Sequence, residues 1–175
     1  MECKTLYIII EGPDDEKYFK WLLGKLQSKF NIRTYTYAKK KNTLVKSLIN
    51  SIKSMDDADY ILFADTDSKD RNKKKKEIQN KYNNCEPNKL FLVEREIESW
   101  FLAGISKKDS ETLKIKNYSK TDSISKEDFY RIFNSTYEHK IDIFNKIFSI
   151  YNVDVAKQKN ATFKLFIENC IYLNR

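Results

Sequence analysis

The chain is poor in the residues on which several familiar chemistries depend. It has three glycines in 175 residues, Gly12, Gly24 and Gly104, and they lie far apart. A phosphate cradle of the P-loop or dinucleotide type clusters several glycines so that backbone amides can approach the anion, and three scattered ones exclude it. A single histidine, His139, excludes multi-histidine zinc sites and paired-histidine phosphodiesterase chemistry. Cys3, Cys85 and Cys170 are too dispersed for a zinc pattern or a disulfide framework, as expected in a reducing compartment. No apolar run approaches the roughly 20 residues that span a bilayer, and no charged-then-apolar leader opens the chain. The expectation is a soluble cytoplasmic protein with no membrane contact, in which any chemistry falls to carboxylates and lysines.

What is present suffices for a core. Hydrophobic residues make up 41 % of the chain and aromatics 14 %, which excludes global disorder. Lys and Arg number 33 against 25 Asp and Glu, a net charge of +8. A basic chain is drawn to polyanions, although a composition rich in Lys, Asn and Ile can equally follow from the base composition of a genome. The placement of the charges decides between the two.

Leu6–Ile10 is a short apolar run rich in branched residues and reads as a strand buried on both faces, as in a parallel sheet. Glu11-Gly12-Pro13-Asp14-Asp15 breaks it. An amphipathic helix is expected from there to about Phe30, with Tyr18, Trp21, Leu22 and Leu26 on one face. Ile32–Tyr37 reads as a second strand, and Thr43 as the cap of a helix carrying Leu44, Val45, Leu48, Ile49 and Ile52. Tyr60–Ala64 is a third strand, ending at Asp65-Thr66-Asp67. A polar, lysine-laden stretch follows, helical around Glu77–Tyr82. Leu90–Val93 is a fourth strand, running into a helix expected over Glu94–Ala103.

Strand and helix alternate up to this point, which implies a mostly parallel four-stranded α/β sheet with right-handed crossovers, flanked by helices. Beyond Gly104 the texture changes. Residues 105–124 lack a period, Ser125 with Asp128 resembles a capping box opening a helix to Phe133, and two more helices are expected near Lys140–Ile150 and Thr162–Leu173. The expected division is an α/β core over residues 1–104 and a mostly helical C-terminal extension over 105–175.

Two carboxylate groups fall where an open α/β sheet places its ligands, past the carboxyl ends of strands. Glu11 leaves the first strand with Asp15 one helical turn on, and Asp65 and Asp67 leave the third. If Asp65 and Asp67 continue the strand they point the same way, and if strands one and three are neighbours Glu11 joins them. Crowded carboxylates need raised pKa values or a divalent cation, and hard oxygen ligands suit Mg²⁺. Each group also has a plainer reading. Asp14, Asp15 and Glu16 suit the positive end of a helix dipole, and Asp65 and Asp67 suit an Asx turn. Glu94 and Glu98, one turn apart, can line one helix face. Arg95 is expected to neutralise its acidic neighbours before it holds a phosphate. Trp100, Phe101 and Leu102 are expected to pack rather than stack on bases, and His139 to lie on the surface. Lys69, Arg71 and the run Lys73, Lys74, Lys75 and Lys76 follow Asp67 directly. Consecutive lysines repel and seldom pack, so a solvated loop is one expectation and a steering surface for phosphates the other. Lys107, Lys108, Lys157, Lys159 and Lys164 extend that second option.

An apolar strand into EGPDD and another into DTD, about 50 residues apart, resemble the Toprim domain of topoisomerases, bacterial-type primases, recombination proteins and nucleases of the overcoming-lysogenization-defect (OLD) type. Glu11 matches that family's glutamate, Asp65 and Asp67 its DxD, and Asp15 the acidic residue of the EGxxD form. EREIESWFLAG resembles a motif of small standalone Toprim-like proteins, which extends the suggestion to Glu98. The resemblance covers about residues 5–104. It implies a Toprim-like, Rossmann-like core that binds Mg²⁺, with Mn²⁺ able to substitute, and acts on nucleic-acid phosphodiesters, DNA ahead of RNA, as a nuclease. Glu11, Asp65 and Asp67 would be catalytic, and Asp15 with Glu94 or Glu98 would complete a second metal site. Topoisomerase and primase action, which need further modules, are not expected. Two alternatives stay open: a catalytically silent subunit of a defence or mobile-element system that binds nucleic acid, a protein partner or a second copy, and a DxD phosphohydrolase with Asp65 as nucleophile. Against the latter, its DxD normally follows the first strand.

Overall fold

The structure is a computed structural model that describes residues 5–26, 30–67, 69–133 and 139–171. The elements run β1 (Thr5–Ile10), α1 (Pro13–Lys25), β2 (Asn31–Thr36), α2 (Asn42–Lys53), β3 (Ala58–Asp65), α3 (Arg71–Lys81), β4 (Leu90–Val93), α4 (Glu98–Ala103), α5 (Lys107–Thr112), α6 (Lys126–Phe133), α7 (Lys140–Ile150), α8 (Val153–Lys159) and α9 (Ala161–Ile171). The fold is α/β, with a four-stranded, all-parallel sheet in the order β2-β1-β3-β4 flanked by helices, as the alternation of strand and helix implied and in keeping with a Rossmann-like arrangement. Two compact units are distinguished: one holds the chain through Ala64 together with Lys69–Leu92, and the other holds the turn at Asp65 and the chain from Val93 onward.

In the first unit, alternation along β3 feeds two faces. Tyr60, Leu62 and Ala64 join Ile9 in a core closed by Val45, Ile49 and Ile52 of α2 and Ile78 of α3. Phe63 points the other way, its ring 4.5 Å from that of Phe19 on α1 and 5.3 Å from that of Phe91 on β4. A strand covered on both faces must be apolar at odd and even positions alike, and for that reason Leu6–Ile10 and Tyr60–Ala64 carry no simple alternation.

Four local readings need correction. Thr43 does not cap α2; the cap position is Lys41, whose backbone is extended, and no side chain caps there. The helix after β3 begins at Arg71, so the lysine run is helical: Asp70 accepts hydrogen bonds from the amides of Asn72 and Lys73 at 3.0 and 3.1 Å and starts it. The expected helix over 94–103 starts only at Glu98, because Arg95 adopts a left-handed backbone (φ 59°). Helices α5 and α8 were not foreseen; Ser106 and Asn152 cap them. Cys3, the side chain of Cys170, residues 27–29 of the expected first helix and the extension of the last to Leu173 lie outside the described residues. No described helix is long and apolar enough to cross a membrane.

The second unit is built around α4. Trp100 and Phe101 are fully buried. The Trp100 ring lies 5.3 Å from both Phe163 and Phe166 on α9, and its indole N–H donates to Thr162 at 2.9 Å. Phe101 meets Phe129 on α6 and Phe144 on α7 edge to face. Buried Asn160 uses its whole amide: it donates to Ser99 and Thr121 and accepts from Thr162 and the Phe163 amide. At the end of α4, the ring of Tyr151 sits where a Cβ on Gly104 would fall, and Tyr151 is itself held by its hydroxyl on the Trp100 carbonyl. Gly104→Ala is therefore expected to cost about 1–3 kcal/mol through overpacking, read as a lower urea midpoint at unchanged slope.

Candidate functional site

In the first unit, β1 delivers Glu11 to solvent. Its backbone is fixed, because Tyr37 and Ala38 donate their amides to the carbonyls of Ile10 and Glu11 at 2.8 and 2.9 Å, carrying the β1–β2 pairing past the strand ends. Glu11 itself is exposed. Pro13 then opens α1, its missing N–H costing nothing at a first helical turn. Asp15 accepts the Gly12 amide at 2.9 Å, so this carboxylate serves the helix start, where the plainer reading placed it for the helix dipole. Glu16 accepts from Thr34 at 2.6 Å and pairs with Lys20 at 2.7 Å. The Lys20 contact, then the Thr34 hydroxyl, hold its carboxyl below the usual range. Glu16 is committed locally.

In the second unit, the Asp65-Thr66-Asp67 turn does not continue the strand as a pleat. Asp65 closes β3 and Asp67 adopts a left-handed backbone (φ 55°), so the two side chains are not related by strand alternation. Thr66 between them is buried and stitches two chain segments together. Its amide donates to the Val93 carbonyl at 2.9 Å, its hydroxyl accepts from the Arg95 amide at 2.8 Å, and the Asp67 amide donates to the Arg95 carbonyl at 2.9 Å. Asp67 and Arg95 are thus two left-handed non-glycine residues linked by one direct hydrogen bond and by a second through Thr66. Such conformations cost of order 1 kcal/mol or more and persist where surrounding bonds over-determine them, often at functional sites. Thr66 was not singled out from sequence, where a threonine between two aspartates reads as a spacer. Thr66→Val keeps its shape but leaves the Arg95 N–H without that acceptor. A loss of about 1–3 kcal/mol is expected, measurable by chemical denaturation.

Glu94 follows β4 but precedes the left-handed turn, so it does not share a helix face with Glu98. Glu98 opens α4 with its side chain only 3 % exposed, paired at 3.3 Å with Lys126, while the Lys126 amide donates to Glu96 at 2.5 Å. A buried carboxylate needs such a counter-charge.

The cations divide in the same way. Lys69 pairs with exposed Glu77 at 2.6 Å, and Arg71 donates to the Leu92 carbonyl at 3.2 Å. Lys73, Lys75 and Lys76 are exposed on α3, whereas Lys74 is buried. Lys159, expected to extend a basic track, donates instead to the Ile105 carbonyl at 2.6 Å and to Asn117 at 3.0 Å, and burial lowers its pKa. A signal passed over in the sequence is Lys39-Lys40-Lys41, three exposed lysines between β2 and α2. His139 is exposed at the start of α7, as expected, and burial raises the Cys85 thiol pKa, which disfavours the thiolate a nucleophile needs.

β1 pairs in parallel with β3, Ile9 opposite Leu62, and in parallel with β2, Ile10 opposite Thr36. The condition on which the carboxylate reading depended, that strands one and three be neighbours, is met at the level of the sheet. The donors are carboxylate oxygens, whose chemistry suits a hard cation such as Mg²⁺. Among the described residues, no three His, Cys, Asp or Glu side chains are drawn together closely enough to hold a metal ion. Comparison with protein-family models, with curated proteins and with solved structures finds no match.

Proposed function

We propose that the protein is a Mg²⁺-dependent, Toprim-like enzyme that cleaves phosphodiester bonds in nucleic acid. The observation that carries this reading is the pairing of β1 with β3. Parallel neighbours end at one edge of the sheet, and the carboxyl edge of an open α/β sheet is where ligands bind. Glu11 follows one of these strands, and Asp65-Thr66-Asp67 ends and follows the other.

In this reading Asp65 and Asp67, with Glu11, would hold the cation, which would have to draw them closer together than they stand in the structure. Mg²⁺, when bound, offsets the negative charge that builds on the phosphoryl oxygens. Glu11, exposed on a fixed backbone, also serves to take a proton from the attacking oxygen or give one to the leaving oxygen. For a second cation position, Asp15 and Glu94 remain the candidates, because Glu98 is buried against Lys126. Lys73, Lys75 and Lys76, together with Lys39–Lys41, draw the polyanion in, a contribution that weakens with salt. DNA is the first substrate to test and RNA the second.

Purified protein with supercoiled plasmid and with single-stranded RNA tests the reading. Cleavage that appears with Mg²⁺ or Mn²⁺ and vanishes with EDTA is expected. Binding without cleavage of either substrate under any divalent cation would make the protein a silent binding subunit. Trapping of a phospho-aspartate at Asp65 would make it a phosphohydrolase.

A further inference from the structure

A cavity of about 660 Å³ opens on the helical unit, lined by Lys120, Asp154, Lys157, Gln158, Ala161 and Lys164. Its charge is three lysines against one aspartate. Two of the lysines come from successive helices, Lys157 on α8 and Lys164 on α9, and the third from the segment before α6. Lys120 is anchored beside the cavity by donating to the Gln158 carbonyl at 3.1 Å, which leaves two of its ammonium protons to other acceptors. Lys157 pairs with Asp154 at 2.8 Å, and Lys164 only reaches Glu168 at 3.8 Å. The start of α9 adds little, because Asp122 already accepts the Ala161 amide at 2.7 Å. The positive character of this surface therefore resides in its lysines.

We infer that this groove binds the phosphodiester backbone of a nucleic-acid strand. Among the described residues, its lining offers point charges on long side chains and a single amide, with no aromatic ring on which a base could stack. Lysine recognises phosphate as a point charge rather than by a fixed two-pronged geometry. Such a surface grips an isolated nucleotide weakly, but a strand that presents several phosphates in succession gathers several such contacts and releases their counterions. Asp154 moderates the groove by occupying Lys157. The inference extends the proposed function to a second surface, and it can fail separately, because binding here requires neither the carboxylates nor a metal.

The test is fluorescence anisotropy of the full chain in EDTA, with labelled 20-nucleotide single-stranded and 20-base-pair duplex DNA, over a series of salt concentrations. The triple variant Lys120→Gln, Lys157→Gln, Lys164→Gln is expected to bind at least about tenfold more weakly, with a slope of log affinity against log salt lower by about 2–3, given about 0.7–0.9 per phosphate contact. A charge-matched control, Lys116→Gln, Lys140→Gln, Lys146→Gln, is expected to change affinity less than about twofold. Asp154→Asn is expected to tighten binding, a gain that a folding defect would not produce. Equal losses in the two triple variants, or no measurable binding by the wild type to either DNA, would overturn the inference. So would full displacement of the DNA by millimolar AMP or inorganic phosphate at matched ionic strength, which would mark an isolated phosphate site. Groove-dependent binding by a protein that never cleaves would sustain this inference and remove the proposed nuclease. Metal-dependent cleavage with the groove variants unaffected would do the reverse.

Discussion

Glu11→Gln and Asp67→Asn are each expected to reduce Mg²⁺-dependent cleavage by about 10²–10⁴-fold, the range associated with loss of a positioned acid or base, while leaving the fold intact. Both side chains are exposed, so neither variant removes packing. Asn tolerates the left-handed backbone as well as Asp does and keeps the backbone amide that donates to the Arg95 carbonyl, so the turn is expected to survive Asp67→Asn. Circular dichroism and the urea midpoint should match the wild type. The informative contrast is Asp14→Asn, on the same helix start but outside the proposed donor set, which is expected to cleave normally. Equal cleavage by all three variants and the wild type would assign the activity to a contaminant.

The largest stability effect is expected at Trp100. Its ring is fully buried between Phe163 and Phe166, and its N–H serves Thr162. Trp100→Ala removes the ring, opens a cavity and leaves the Thr162 hydroxyl without that donor, for a cost of about 3–5 kcal/mol. At 2–4 °C per kcal/mol for a chain of this size, the melting temperature should fall by about 6–20 °C. Trp100→Phe refills much of the volume and should lose distinctly less. A loss under 1 kcal/mol for the alanine variant would mean that α4 is not the centre of the helical unit.

Much of this was legible in the chain. Buried strands declared themselves because Leu6–Ile10 and Tyr60–Ala64 are apolar at every position, and the break at Glu11-Gly12-Pro13 marked a helix start through proline chemistry. Strand order was not legible: nothing local to Ile9 says that it lies opposite Leu62, since pairing is set by crossover handedness and packing on both faces. The lysine run was misjudged because repulsion among Lys73–Lys76 was weighed while the Asp70 cap, worth about 1 kcal/mol, was not. The turns at Asp67 and Arg95 were invisible for a different reason. Left-handed backbone is ordinarily signalled by glycine, and here two non-glycine residues are held in it by bonds made through Thr66 and across to one another. The same hidden turn separated Glu94 from Glu98, which a helical count had placed together. The pair of buried Glu98 with half-exposed Lys126 joins residues 28 positions apart, beyond the reach of any spacing argument.

The central claim is that Glu11, Asp65 and Asp67 converge on one cation. Anomalous diffraction from crystals soaked in Mn²⁺ measures this directly. The account predicts a peak coordinated by the carboxylates of Glu11, Asp65 and Asp67, weakened in Asp67→Asn crystals grown under the same conditions. A peak bound elsewhere in a protein that cleaves nucleic acid, or crystals of such a protein in which Glu11 and Asp67 share no ion at saturating Mn²⁺, would contradict it.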